Sequence, residues 1–77
     1  MALVRYFAAA REAAGVAEEV RSDATLGALR DALRADHPAL AGILPRCAVL
    51  VAGERTDDSR ALTPDDVIDV LPPFAGG

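Results

Sequence analysis

The chain contains no lysine, one cysteine and one histidine, and each shortage removes a class of chemistry. A single cysteine rules out an internal disulfide, which suits a reducing cytoplasmic address. With His37 alone, no His/Cys set has metal-ligand spacing, so no metal-binding residue is expected. Ser22 and Ser59 have no histidine close in sequence to activate them, and no glycine-rich phosphate loop ending in Lys-Ser or Lys-Thr is present. An enzyme acting through its own side chains is therefore not expected. All eight basic residues are arginines scattered along a chain of net charge −4. Without a basic stripe to displace counterions, nucleic acid is a poor partner, whereas proteins with basic entrances would attract such a chain. The uncharged runs, such as residues 38–45 and 47–53, fall far short of the ~18 residues a membrane span needs. No basic leader followed by an apolar stretch opens the chain, so a cytoplasmic protein with no membrane partner is expected.

Seventy-seven residues of which 52% are hydrophobic are expected to form one small packed domain, burying about 60% of the unfolded surface. The segment 2–8 alternates as a strand, with Val4 and Tyr6 directed inward and Leu3, Arg5 and Phe7 outward. Residues 11–14 favour a helical turn but are too few to stand alone, and 17–22 reads as a second strand. Thr25 is a suitable helix N-cap, Leu26, Leu29 and Leu33 make one apolar stripe, and Pro38 should end that helix near Asp36. Off the stripe, Arg30, Asp31 and Arg34 should be solvated. Leu40, Ile43 and Leu44 lie between prolines and suggest a turn plugging one end of the core. The apolar run 47–51 predicts a strand buried on both sides, after which Ala52-Gly53 turns the chain, with brief pairing at 54–56. A last strand spans 67–71 with Ile68 and Val70 inward and Asp69 and Leu71 outward, and Pro72-Pro73 stop further pairing.

The polar residues outside this frame have plain readings. His37, in an Asp-His-Pro sequence, reads as a solvated loop residue. Cys47 opens an apolar strand and reads as a small buried hydrophobe. Asp57-Asp58 and Asp65-Asp66 read as solvated turn elements.

The segment Pro72-Pro73-Phe74-Ala75-Gly76-Gly77 carries the chemistry instead. Glycine lacks a Cβ, so such a tail can enter a channel too narrow for other residues and presents an unshielded acyl carbon. Six extended residues reach roughly 20 Å. A terminal carboxylate at Gly77 would be ionised and unreactive at neutral pH. Adenylation would give its acyl carbon a leaving group, and attack by sulfur would then leave a thiocarboxylate. In that scheme the absence of lysine denies the activated end an acceptor on its own chain, although an arginine- and alanine-rich composition is the plainer reading.

Phe7-Ala8, Arg11-Glu12 and Gly15, followed by Leu71-Pro72-Pro73 and Gly76-Gly77, resemble the small subunit of molybdopterin synthase within the ubiquitin-like sulfur carriers. The resemblance runs over essentially the whole chain. It implies an α+β, β-grasp fold over residues 1–71, a small mixed sheet covered by one main helix, with 72–77 as a flexible reactive tail. It implies that Gly77, preceded by Gly76, is adenylated by an E1-like activating enzyme using ATP, with no cofactor held permanently. It also implies insertion of the tail into a large synthase subunit, in a heterotetramer, where sulfur passes to precursor Z (cyclic pyranopterin monophosphate). Catalytic side chains would then belong to the large subunit. Phe7, Arg11, Leu71, Pro72, Pro73, Phe74 and Ala75 are the expected partner contacts. The same fold also serves carriers for thiazole, cysteine or tRNA thiolation, and protein modifiers conjugated through Gly77. Ala52, Asp65 and Phe74 depart from the family pattern, where asparagine, glycine and a smaller aliphatic residue are common.

Overall fold

The computed structural model describes residues 1–73; the expectations for Phe74, Ala75, Gly76 and Gly77 lie outside the described residues. Strand β1 (Ala2–Tyr6) is followed by helix α1 (Ala8–Ala14), strand β2 (Glu18–Arg21), helix α2 (Leu26–Asp36), the short helix α3 (Pro38–Ala41) and a 3₁₀ turn over Leu44–Arg46. Strands β3 (Ala48–Val51), β4 (Glu54–Arg55) and β5 (Val67–Leu71) complete the described chain. The five strands form one sheet in the order β2-β1-β5-β3-β4. Only the central β1·β5 pair is parallel. This is the β-grasp arrangement, a mixed sheet wrapped around a helix.

Alternation in the strands decides which face meets α2. Val4, Tyr6, Val49, Val51, Ile68 and Val70 point inward and join Leu26, Leu29, Leu33, Leu40 and Leu44 in one core, most of them without measurable exposure. The three-leucine stripe of α2 is thus buried as its spacing requires. Thr25 caps the helix through Oγ1, which accepts from Ala28 N at 3.1 Å. Two further first-turn N–H groups are met by the segment 57–62: Leu26 N donates to Arg60 O and Gly27 N to Asp58 O, each at 3.0 Å. These bonds answer the unpaired donors that every helix start presents.

The structure corrects several expectations. β1 stops at Tyr6, because Ala8 takes a left-handed backbone (φ 48°) that turns the chain into α1. The weak turn foreseen at 11–14 is a seven-residue helix. Its fully buried Ala10 supplies the packing that an isolated helix of this length lacks. Gly15 closes it in the left-handed region (φ 80°), its N–H bonding to Arg11 O at 2.9 Å. β3 is buried on one face only, since Ala48 and Leu50 are half-buried on the open side of the sheet. Arg30 is half-buried and not freely solvated, its Nε 2.9 Å from Asp58 Oδ1.

Two polar residues are also less solvated than their sequence context suggested. His37 is half-buried, with Nε2 2.8 Å from Glu19 Oε1 and its ring edge-on to Tyr6 at 5.9 Å between centroids. Asp66 is buried, accepting from Thr63 N at 2.7 Å and from Arg60 at 3.3 Å, so it fastens the turn into β5. Asp57 is the exposed turn residue its context predicted, and it accepts from Ser59 N at 2.9 Å. Cys47 is the buried small residue its run predicted, its thiol lying 3.3 Å from Ile43 O.

Candidate functional site

The parallel pairing of β1 with β5 builds the candidate site. Its register sets Arg5 against Asp69 and Tyr6 against Val70. One step further on, Phe7 N donates to Val70 O at 3.2 Å. The bond places Phe7 beside the point where β5 runs out through Leu71 towards Pro72 and Pro73. Phe7 is the N-cap of α1 and makes no side-chain capping bond, and 38% of the residue remains exposed. Leu71 is half-buried, Pro72 is buried and Pro73 is exposed. The strand exit is therefore anchored at Pro72 before the chain leaves the described body.

The open face of the sheet has a row structure that follows from register. Glu18, Arg5, Asp69, Leu50 and Arg55 are successive neighbours across β2, β1, β5, β3 and β4. On one side of this row lie Val20, Leu3 and Val67, and on the other Leu71 and Ala48. At its centre Arg5 grips Asp69 with both arms of the guanidinium, Nε to Oδ1 at 2.6 Å and NH2 to Oδ2 at 3.0 Å. The bond to Asp69 and its charge hold Arg5 above its ordinary basicity, and Glu18 adds to the effect. The same guanidinium carbon stands 5.8 Å from the centroid of the Phe7 ring, within cation–π range.

Arg11 is exposed on α1 and lines a shallow open groove with Ala8, Glu12, Gly15, Val16 and Ala17. Phe7, Leu71, Pro72 and Pro73 are thus gathered around the β5 exit, while Arg11 sits on the adjoining helix. Sequence reasoning used Arg5 only to mark the outward face and missed its pairing with Asp69. Opposite charges on the outward positions of two strands were the available signal, but the sequence did not reveal that those strands are parallel neighbours.

Among the described residues, no group of three or more His, Cys, Asp and Glu is placed to hold a metal ion, and no helix is long and apolar enough to cross a membrane. The Tyr6–Glu19–His37 cluster closes the edge between β2 and the end of α2. Burial pushes the Glu19 carboxyl up, but hydrogen bonds from Tyr6 and His37, with Arg21 nearby, outweigh it and hold the group below its ordinary value. Burial, reinforced by Glu19, pushes the Tyr6 hydroxyl well up. Burial also raises the Cys47 thiol, against the lowering effect of Arg30 and Arg46. These shifts describe groups fixed in place and not groups poised to react.

Residues 4–77 match the model of the ThiS family. The chain belongs to that family. It is 37% identical over 79 residues to a molybdopterin synthase sulfur carrier subunit of Chlamydomonas reinhardtii, with 96% of this chain and 95% of that protein covered. Among solved structures it resembles SAMP1 of Haloferax volcanii, a small archaeal modifier protein, with a TM-score of 0.80, 31% identity and coverage of 99% and 98%. It also resembles a chain in the complex of subunits 1 and 2 of the molybdopterin-converting factor from Helicobacter pylori, with a TM-score of 0.71, 27% identity and coverage of 99% and 97%. The ubiquitin-like β-grasp fold read from topology is the fold of these structural neighbours.

Proposed function

We propose that this ThiS-family chain is the sulfur carrier subunit of a molybdopterin synthase. The observation that carries the reading is its likeness, over nearly the full length of both chains, to a relative named as that subunit. In this reading a carboxylate oxygen of Gly77 attacks the α-phosphorus of ATP on an E1-like activating enzyme, releasing pyrophosphate and leaving an acyl-adenylate. A sulfur nucleophile then displaces AMP and leaves a thiocarboxylate. The thiocarboxylate sulfur attacks a carbon of precursor Z within the large subunit and displaces the oxygen substituent that this carbon carries; water then cleaves the resulting thioester, so that Gly77 regains its carboxylate and the sulfur stays on the pterin.

The folded body contributes a handle. Phe7 and Leu71 flank the strand exit, and a partner that covered them would take up the tail from Pro73 onward. The complex of subunits 1 and 2 from Helicobacter pylori supports a large subunit as that partner. The test is reconstitution with a large subunit, a sulfurated carrier and precursor Z. Wild type should yield the dithiolene, and a chain lacking Gly76 and Gly77 should yield none; equal yields would reject the reading.

A second reading, a protein modifier joined through Gly77 to lysines, is favoured by the likeness to the small archaeal modifier SAMP1. Isopeptide-linked adducts recovered from cells would support it, and their absence from cells that make the dithiolene would leave the carrier reading alone.

A further inference from the structure

We propose that Arg5, clamped by Asp69, is a positioning residue that fixes the Phe7 ring for docking on the large subunit. The inference rests on the carrier reading above and on Phe7 as a contact in it.

Phe7 is a partly exposed aromatic just past the end of β1, with 38% of the residue open to solvent. The next residue, Ala8, turns the backbone away through the left-handed region. An aromatic anchor that must be immobilised on binding loses affinity to that ordering, and one already held does not. The Arg5 guanidinium, 5.8 Å from the ring centroid and over its face, is placed to hold it.

Arg5 is itself unusually constrained for a residue whose side chain is 45% exposed. Its two bonds to Asp69 fix the plane of the guanidinium, a geometry lysine cannot reproduce. Asp69 is mostly covered, with 17% side-chain exposure, and stands on β5, two residues before Leu71. The chain of contacts therefore runs from β5 through Asp69 and Arg5 to Phe7. It ties the pose of the ring to the strand that leads into the tail. Solvent reaches the Arg5 end of the pair, where 45% of the side chain is open, and screens it, so the main consequence of this clamp is for docking and not for stability.

The test is calorimetric titration of a large subunit with wild type, Arg5→Gln, Arg5→Lys, Asp69→Asn, Phe7→Ala and the double variant Arg5→Gln/Phe7→Ala. The expected result is a loss of about two- to tenfold in affinity for each Arg5 or Asp69 variant, with thermal midpoints near that of wild type. In the Phe7→Ala background, Arg5→Gln should add nothing, because its effect passes through the ring. The Phe7 ring-proton resonances of the free protein should move in Arg5→Gln and in Asp69→Asn alike. Wild-type affinity in Arg5→Gln, or the same further loss in the Phe7→Ala background, overturns the proposal and leaves the carrier reading standing. Full affinity in Phe7→Ala overturns it too, by removing the ring from the interface. A wild-type chain that does not bind the large subunit overturns both.

Discussion

Glu19 Oε1 accepts the Tyr6 hydroxyl and lies 2.8 Å from His37 Nε2, so one carboxylate oxygen joins β1, β2 and the end of α2. Arg21 reinforces the seam from two residues further along β2, reaching Asp36 Oδ2 at 2.6 Å. A sheet edge that the sequence presents as ordinary polar strand is thereby locked to the helix it covers.

That seam gives the fold a pH dependence on both sides of neutrality. Glu19 is held below its ordinary value of 4.5, so its contribution is present above that pH and is lost as pH falls through the lower folded value. The Tyr6 hydroxyl is raised from 10.0, so its contribution is present below that pH and fades above it as the unfolded chain ionises. Denaturant titrations across the pH range should show both declines. Glu19→Gln should flatten the acid limb, and an unchanged acid limb in that variant would assign it to other carboxylates.

The legible parts of this fold were those set by period and punctuation. The Leu26–Leu29–Leu33 stripe, the Thr25 cap and the stop before Pro38 appear where local spacing put them. So does the inward and outward alternation of residues 67–71. Contacts between residues distant in sequence were not legible. His37 looked like a loop residue because Glu19, 18 positions away, carries its partner atom. Asp69 looked like a face marker because Arg5, 64 positions away, closes the pair. Helix α1 was underestimated for a related reason, since burial of Ala10 adds tertiary support that the helix propensity of so short a segment cannot supply alone. Of the candidate site, the sequence indicated Phe7, Leu71 and the proline exit but not the charged clamp between the strands.

The turn between β3 and β4 carries avoidable strain. Ala52 has φ 52° and Gly53 φ 80°, the two positive values that a type I′ hairpin turn requires. Alanine pays about 1–2 kcal/mol in that region, where asparagine is better tolerated. Ala52→Asn should therefore raise stability by about 0.5–1 kcal/mol, or several degrees in thermal midpoint for a domain of this size. A midpoint at or below that of wild type would show that the turn relaxes in solution.

The Cys47 thiol should be inert while the protein is folded. It is buried, bonded to Ile43 O at 3.3 Å, and raised in pKa by burial, and only the thiolate reacts with alkylating or disulfide reagents. Labelling at pH 8 should be slower than that of an unfolded control by about tenfold or more, and should accelerate in step with denaturation. Rapid labelling of the native chain would instead make Cys47 a reactive site.

The central claim is that Gly77 is the reacting group and the β-grasp body serves as its handle. The most direct measurement is intact and fragment mass analysis after incubation with an E1-like activating enzyme, ATP and a sulfur donor. The account predicts replacement of one oxygen by sulfur, confined to the C-terminal fragment that contains Gly77 and dependent on ATP. An unchanged mass there under conditions that sulfurate a known carrier, or sulfur found only on Cys47, would contradict it.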